Sequence, residues 1–213
     1  MKKRGLFITF EGPEGSGKTT QARLLYEYLR EQGYPVILTR EPGGTRIGDQ
    51  IRAILHDLSN TEMLPTTEIL LFSASRAQIV GQVIKPALEA GKVVICDRYA
   101  DSTMAYQGYG HRLDLKTLEF ITHFATGGLK PDITFYLDID VEEGLRRKRA
   151  AHERGEDEWT RLDQKEVEFH QRVREGYLKL AQAEPSRWVI LDASEDVEAI
   201  QERIRNVVGK ILR

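Results

Sequence analysis

The run that most constrains this chain is Gly12-Pro-Glu-Gly-Ser-Gly-Lys-Thr19, which has the spacing G-x-x-x-x-G-K-[ST]. An apolar stretch, Leu6 to Phe10, precedes it. A helical pattern from about Gly17 to Gln32 follows, with Ala22, Leu25 and Leu29 at the helical period and Gly33 as its stop. Strand, glycine-rich turn and helix in that order are the context in which this spacing binds phosphate. Glycines let successive backbone N–H groups converge on phosphate oxygens, and the helix N-terminus adds partial positive charge. Gly12, Pro13, Glu14, Gly15, Ser16 and Gly17 are the expected cradle. Lys18 is expected to reach the β- and γ-phosphates of ATP, and the Thr19 hydroxyl to ligate Mg²⁺.

Four more apolar runs of strand length occur at Val36–Leu38, Val93–Cys96, Ile133–Leu137 and Trp188–Leu191. Helical patterns lie between them, at about 48–58, 68–90, 115–126, 142–151, 164–184 and 197–212. Strands buried on both faces and separated by helices predict an α/β fold, a five-stranded parallel sheet with helices on both faces. With the phosphate loop after the first strand, this is the P-loop nucleoside-triphosphate-binding fold. A length of 213 residues predicts a single domain over 1–213. Between Arg146 and Arg161 there are six Lys/Arg and four Asp/Glu, and Trp159 is the only large apolar residue. That segment reads as a short mobile lid rather than a linker.

Charge and cysteine content narrow the function. With 31 Lys+Arg against 33 Asp+Glu the formal charge is −2, too near zero for a protein that coats nucleic acid or an anionic membrane. The basic run Arg146-Arg147-Lys148-Arg149 is diluted by the acidic residues after it, so no nucleic-acid partner is expected. Cys96 is the only cysteine, so no disulfide within the chain and no cysteine cluster for zinc is possible. The start Met1-Lys2-Lys3-Arg4 is followed by an apolar run too short for a signal sequence, and no stretch reaches the ~20 apolar residues of a membrane span. A cytoplasmic location without membrane contact is the expectation. The two asparagines, Asn60 and Asn206, precede Thr and Val, which excludes a guanine-binding N-K-x-D motif. No L-S-G-G-Q stretch of transporter ATPases is present. A small chain of this kind fits a kinase acting on a small acceptor.

Two further segments follow the carboxyl ends of strands, where ligands bind in open α/β sheets. They are Thr39-Arg-Glu-Pro-Gly-Gly-Thr45 after the second strand and Asp97-Arg-Tyr-Ala-Asp-Ser-Thr-Met-Ala-Tyr-Gln-Gly108 after the third. With Leu71-Phe-Ser-Ala-Ser-Arg76, they make the whole chain resemble the thymidylate kinase family of nucleoside-monophosphate kinases. The resemblance implies phosphorylation of dTMP to dTDP with ATP and Mg²⁺, and a homodimer.

It also implies roles for individual residues. Arg40 and Arg98 would hold the acceptor phosphate, since two guanidinium forks suit a dianion. For Arg40 a surface salt bridge is the alternative. Asp97 would help position Mg²⁺ and its waters, or else cap a helix. Phe72 would stack on the base or, equally, belong to the core, because it ends the apolar run Ile69-Leu70-Leu71-Phe72. Arg76 would donate to a thymine carbonyl and Thr103 would face the base edge, with Gln107 nearby. Tyr106 would lie beside the sugar and disfavour a 2′-hydroxyl, and Glu14 would lie near the 3′-hydroxyl.

Some family members carry an arginine directly after that acidic residue; this chain has Gly15. In such members the flap supplies the positive charge, which leaves Arg147, Arg149 and Arg154. Arg154 is favoured, because Gly155 follows it in polar surroundings. No general base is expected. The acceptor phosphate's second pKa is near 6 by analogy with phosphorylated side chains, and the five histidines show no metal-like spacing. Another nucleoside-monophosphate or deoxynucleoside kinase, or a non-catalytic nucleotide-dependent switch, are the alternatives to test.

Overall fold

In the computed structural model, which describes residues 4–212, β1 (Phe7–Glu11) lies at the centre of a parallel five-stranded sheet. The other strands are β2 (Val36–Arg40), β3 (Val93–Asp97), β4 (Ile133–Asp138) and β5 (Trp188–Asp192), and the order is β2-β3-β1-β4-β5. Met1, Lys2 and Lys3 of the basic start lie outside the described residues. Alternating strand residues serve two layers, as a pleated sheet buried on both faces requires. Ile8, Phe10, Ile95, Phe135 and Leu137 pack with Ala22, Leu25 and Leu29 of α1 (Lys18–Glu31). Ile200, Ile204 and Val208 of the C-terminal helix (Val197–Leu212) complete that layer. Phe7, Val94 and Cys96 face the opposite way, onto Ile79, Ile84, Leu88 and Tyr99. Each such large side chain, fully buried, contributes roughly 1.5–3 kcal/mol.

The remaining helices are α2 (Arg46–His56), α3 (Pro65–Ile79), α4 (Lys85–Glu89), α5 (Ala100–Thr103), α6 (Leu115–Thr126), α7 (Val141–Glu153) and α8 (Val167–Ala183), so that Val197–Leu212 is α9. The long helix expected over 68–90 is continuous in path but π-wound at Val80–Ile84. The extra residue per turn places Pro86 in the first turn of α4, where its missing N–H costs little. The segment after β3 contains no clean helical period, yet it forms α5 and a second π-wound stretch, Met104–Gly110. α8 holds it in place through Phe169, Val173 and Tyr177, which pack on Ala105 and Tyr106.

The first half of the predicted lid is helical. Asp140 caps α7 by accepting from the Glu142 and Glu143 N–H groups, and Glu143 pairs with Arg146 and Arg147 one turn on. The helix therefore runs to Glu153, and the irregular flap begins at Arg154.

Strand register assembles the site. Arg40 pairs with Asp97, and Asp97 with Phe10, so the segments that follow all three strands emerge at one edge of the sheet.

Candidate active site

The phosphate loop turns from β1 into α1 with Gly17 in the left-handed region, φ +85°. Lys18 Nζ donates to the Pro13 carbonyl at 2.6 Å and to Ser16 Oγ at 3.2 Å. Burial, and then the nearby Arg98 charge, lower the Lys18 ammonium to about 8. Thr19 Oγ1 donates to Asp97 Oδ2 at 2.5 Å, which brings the two expected Mg²⁺ ligands together. Gly15 (φ +67°) passes against α7, and a Cβ there would lie 2.0 Å from the Gly144 carbonyl oxygen. A Cβ on Gly144 would lie 2.4 Å from the Glu14 backbone carbonyl oxygen. Two glycines therefore set the spacing between loop and helix. A side chain at position 15 would require the loop or α7 to shift.

Arg98 adopts φ +66°, a backbone conformation costing on the order of 1–2 kcal/mol for a residue with a Cβ. The surroundings fix it there. Its N–H donates to the Phe10 carbonyl at 2.9 Å, and its guanidinium donates to Glu14 Oε1 at 2.9 Å and the Gly12 carbonyl at 3.1 Å. The same guanidinium lies 5.1 Å over the Tyr106 ring, whose hydroxyl donates to Glu14 Oε1 at 2.7 Å. Burial would raise the Glu14 carboxyl, but Arg98, with Lys18 and Lys148, holds it well below the usual carboxylate range.

Beneath Arg98, buried Glu11 accepts from Tyr99 N–H (2.7 Å), Ser102 Oγ (2.6 Å) and Tyr177 OH (2.8 Å). Burial and the Asp101 charge push Glu11 up to about 7, against the opposing pull of Ser102, Arg98 and Tyr177.

Glu14, Lys18, Thr19, Asp97, Arg98 and Tyr106 share one open cleft of about 640 Å³. Arg40, Phe72, Arg76, Thr103 and Gln107 line it too. Phe72 is half-buried on the cleft wall and belongs to none of the apolar core clusters. Arg40 donates to the Pro42 carbonyl at 2.8 Å and to Asp49 at 3.2 Å. Arg76 is buried; it donates to Glu41 Oε2 (2.7 Å), Thr103 Oγ1 (2.8 Å) and the Tyr99 carbonyl (3.2 Å). Gln107 Nε2 donates to Glu68 at 2.7 Å.

The three candidate lid arginines separate. Arg149 lies over the Trp159 ring at 5.6 Å and does not line the cleft. Arg147 lines it but is committed to Glu143 and the Ala193 carbonyl. Arg154 lines it with one partner, Glu156, at 2.7 Å.

The family model described as Thymidylate kinase matches residues 10–204. The chain belongs to the thymidylate kinase family. It is 63% identical to a thymidylate kinase of Roseiflexus castenholzii over 97% of this chain and 94% of that protein. It is 52% identical to one of Herpetosiphon aurantiacus, over 93% of each. A crystal structure of thymidylate kinase from Ehrlichia chaffeensis superposes with a TM-score of 0.76 at 35% identity, covering 96% of this chain and 99% of that one.

The donors at the phosphate loop suit the metal that kinase chemistry implies. Thr19 and Asp97 offer hard oxygens, and among the described residues no cluster of three or more His, Cys, Asp or Glu forms a metal cage. A few protein oxygens, with phosphate and water completing the shell, is how Mg²⁺ binds. Several charged residues at or beneath the thymidylate kinase cleft belong to none of the motifs above. Glu11 directly precedes the phosphate motif but belongs to no motif itself. Lys148, Arg52 and Asp163 sit in helices or loops whose charges look like ordinary surface. Lys148 is buried and pairs with Asp157 at 2.7 Å.

Proposed function

We propose that this cleft, in an enzyme that phosphorylates dTMP to dTDP with ATP as co-substrate, transfers the γ-phosphoryl group in line to the acceptor phosphate. The observation that carries the reading is the convergence of Lys18 and Arg98, from separate loops, on one cleft with Glu14 fixed between them. Lys18 holds the β- and γ-phosphates within the N–H cradle of Gly12 to Gly17. Arg98 and Arg40 hold the acceptor phosphate, whose attacking oxygen is already mostly ionised at pH 7, so no side chain has to remove a proton.

The barrier is repulsion between two anions. Fixed positive groups lower it by positioning and by neutralising transition-state charge. Mg²⁺, held through Thr19 and Asp97, would supply further neutralisation of phosphate charge. Phe72 stacks on the thymine, while Arg76, Thr103 and Gln107 address its edge. Tyr106, pinned to Glu14, leaves no room for a 2′-hydroxyl, and Glu14 keeps its ionised carboxylate for the 3′-hydroxyl.

Residues 1–213 form one kinase domain, with the segment 146–161 as its lid; Arg154 closes over the transferred group and excludes water. Two copies associate through α3 and α6, where Leu70, Phe120 and Phe124 are 59%, 73% and 84% exposed. The enzyme works in the cytoplasm, without membrane or nucleic acid; among the described residues no helix is long and apolar enough to cross a membrane.

An ADP-release panel with ATP and Mg²⁺ over dTMP, dUMP, dCMP, AMP and thymidine tests this reading. Turnover greatest with dTMP is expected. Preference for another monophosphate or for thymidine points to a sister kinase. Nucleotide binding without turnover on any acceptor points to a switch.

A further inference from the structure

Glu68, on α3, is 1% exposed and does not line the cleft. Gln107, on the π-wound stretch after α5, does line it, and its Nε2 donates to Glu68 Oε1 at 2.7 Å. The other Glu68 oxygen accepts from Arg161, and His111 Nε2 lies 3.3 Å from Oε1. Burial would raise the Glu68 carboxyl, but hydrogen bonding with His111, Arg161 and Gln107 holds it down at about 2. An ionised carboxylate only accepts, so it takes the NH2 end of the Gln107 amide. The planar amide then turns its carbonyl oxygen away from Glu68. Among the described residues none donates to that oxygen, which is left for the cleft that Gln107 lines. Thr103, about one turn before Gln107, accepts from Arg76 Nη1 at 2.8 Å, and a guanidinium can only donate. One wall of the cleft therefore carries a donor, Arg76, and an acceptor, Gln107. Thymine and uracil offer the complement, an accepting carbonyl at position 4 and an N–H at position 3. Cytosine offers the reverse, an amino group and a bare nitrogen.

We propose that Glu68 is a positioning residue for base selection: it holds the Gln107 amide with its oxygen toward the cleft, so that the site takes pyrimidines with an N–H at position 3 and rejects those with a bare nitrogen there. The inference rests on the reading of Gln107 as a contact to the thymine edge. Arg161 determines what the isosteric change Glu68→Gln does. Arg161 can only donate, so the new amide gives Arg161 its oxygen. Its NH2 then faces Gln107, whose own amide turns over to accept and presents NH2 to the cleft.

The test compares the full wild-type chain with Glu68→Gln on two acceptors, dTMP and 5-methyl-2′-deoxyisocytidine monophosphate, by kcat/KM with ATP and Mg²⁺. The analogue keeps the 5-methyl and 4-carbonyl groups but has a bare nitrogen at position 3. Wild type is expected to favour dTMP by about 100-fold or more, because the mismatch leaves buried polar groups unpaired. In Glu68→Gln that ratio is expected to shrink at least about ten-fold. Lost packing or a weakened Arg161 contact lowers both acceptors together, so an unchanged ratio overturns the proposal whatever the absolute rates. A second measurement needs no variant. In free, ¹⁵N-labelled wild-type protein the Gln107 side-chain NH2 is expected to exchange slowly, because Glu68 holds it away from the cleft water. Exchange as fast as that of an exposed glutamine overturns the proposal even where Glu68→Gln does not fold. Absence of wild-type turnover on dTMP would instead overturn the functional reading. Normal wild-type turnover with an unchanged ratio in the variant removes the role of Glu68 alone.

Discussion

Lys18, Glu14 and Arg98, on the floor of the cleft, are shielded from solvent and each held by two or more short contacts. Arg154 and Glu158, on the flap, are 58% and 64% exposed and meet one or two partners each. The floor has its charges oriented before substrate arrives, which minimises reorganisation during phosphoryl transfer. It tolerates a cost for this, in the left-handed backbone of Arg98 and in the lowered Lys18 ammonium. Flap contacts of the exposed kind are worth roughly 0–1 kcal/mol each, so the flap can exchange protein partners for substrate ones. In the proposed function this difference corresponds to binding and charge placement on the floor and gating by the flap.

The largest expected effect lies on the floor. Lys18→Ala should reduce kcat at least about 10³-fold with an unchanged circular dichroism spectrum; turnover within ten-fold of wild type would break the assignment. Next comes the flap. Arg154→Ala should lower kcat about 10²-fold while the dTMP dissociation constant moves less than about two-fold. Arg147→Ala, whose guanidinium is already committed to Glu143 and Ala193, should cost less; the reverse ranking would transfer the lid role to Arg147.

A smaller effect sharpens the account of the buried floor. Glu11 is raised in the folded protein from an ordinary 4.5 to about 7. Between those values the folded state binds a proton the unfolded state lacks, so Glu11 contributes stability below 4.5 that is lost as pH climbs through 7. Glu11→Gln should flatten the decline in the urea midpoint between pH 5 and pH 8, a change on the order of a few kcal/mol in the underlying free energy. A slope identical to wild type would show that Glu11 does not titrate there.

Sequence and structure agree where chemistry is local. Each strand is a short apolar run, and the phosphate loop is fixed by glycine positions that admit few alternatives. Phe72 could not be decided from sequence, because a helix that buries one wall and lines a cleft with another shows the same apolar run. Glu11 and Tyr177 left no signal, since they meet the site from elements far apart in the chain and carry no periodicity of their own, and Lys148 showed only as part of a basic run. The first half of the lid segment is helical rather than irregular. Its charged composition resembles loop, yet the Asp140 cap and the Glu143 pairs keep the residues before Arg154 helical. Gly15 and Gly144 show the opposite case: the glycine at position 15 was visible, but its close backbone approach to Gly144 is seen only in the fold.

The most direct test of the division between floor and flap is Arg98→Ala, measured by dTMP binding and by single-turnover transfer from ATP. The account predicts that acceptor affinity and transfer rate both collapse while ATP binding persists. Wild-type dTMP affinity and rate in that variant would contradict it.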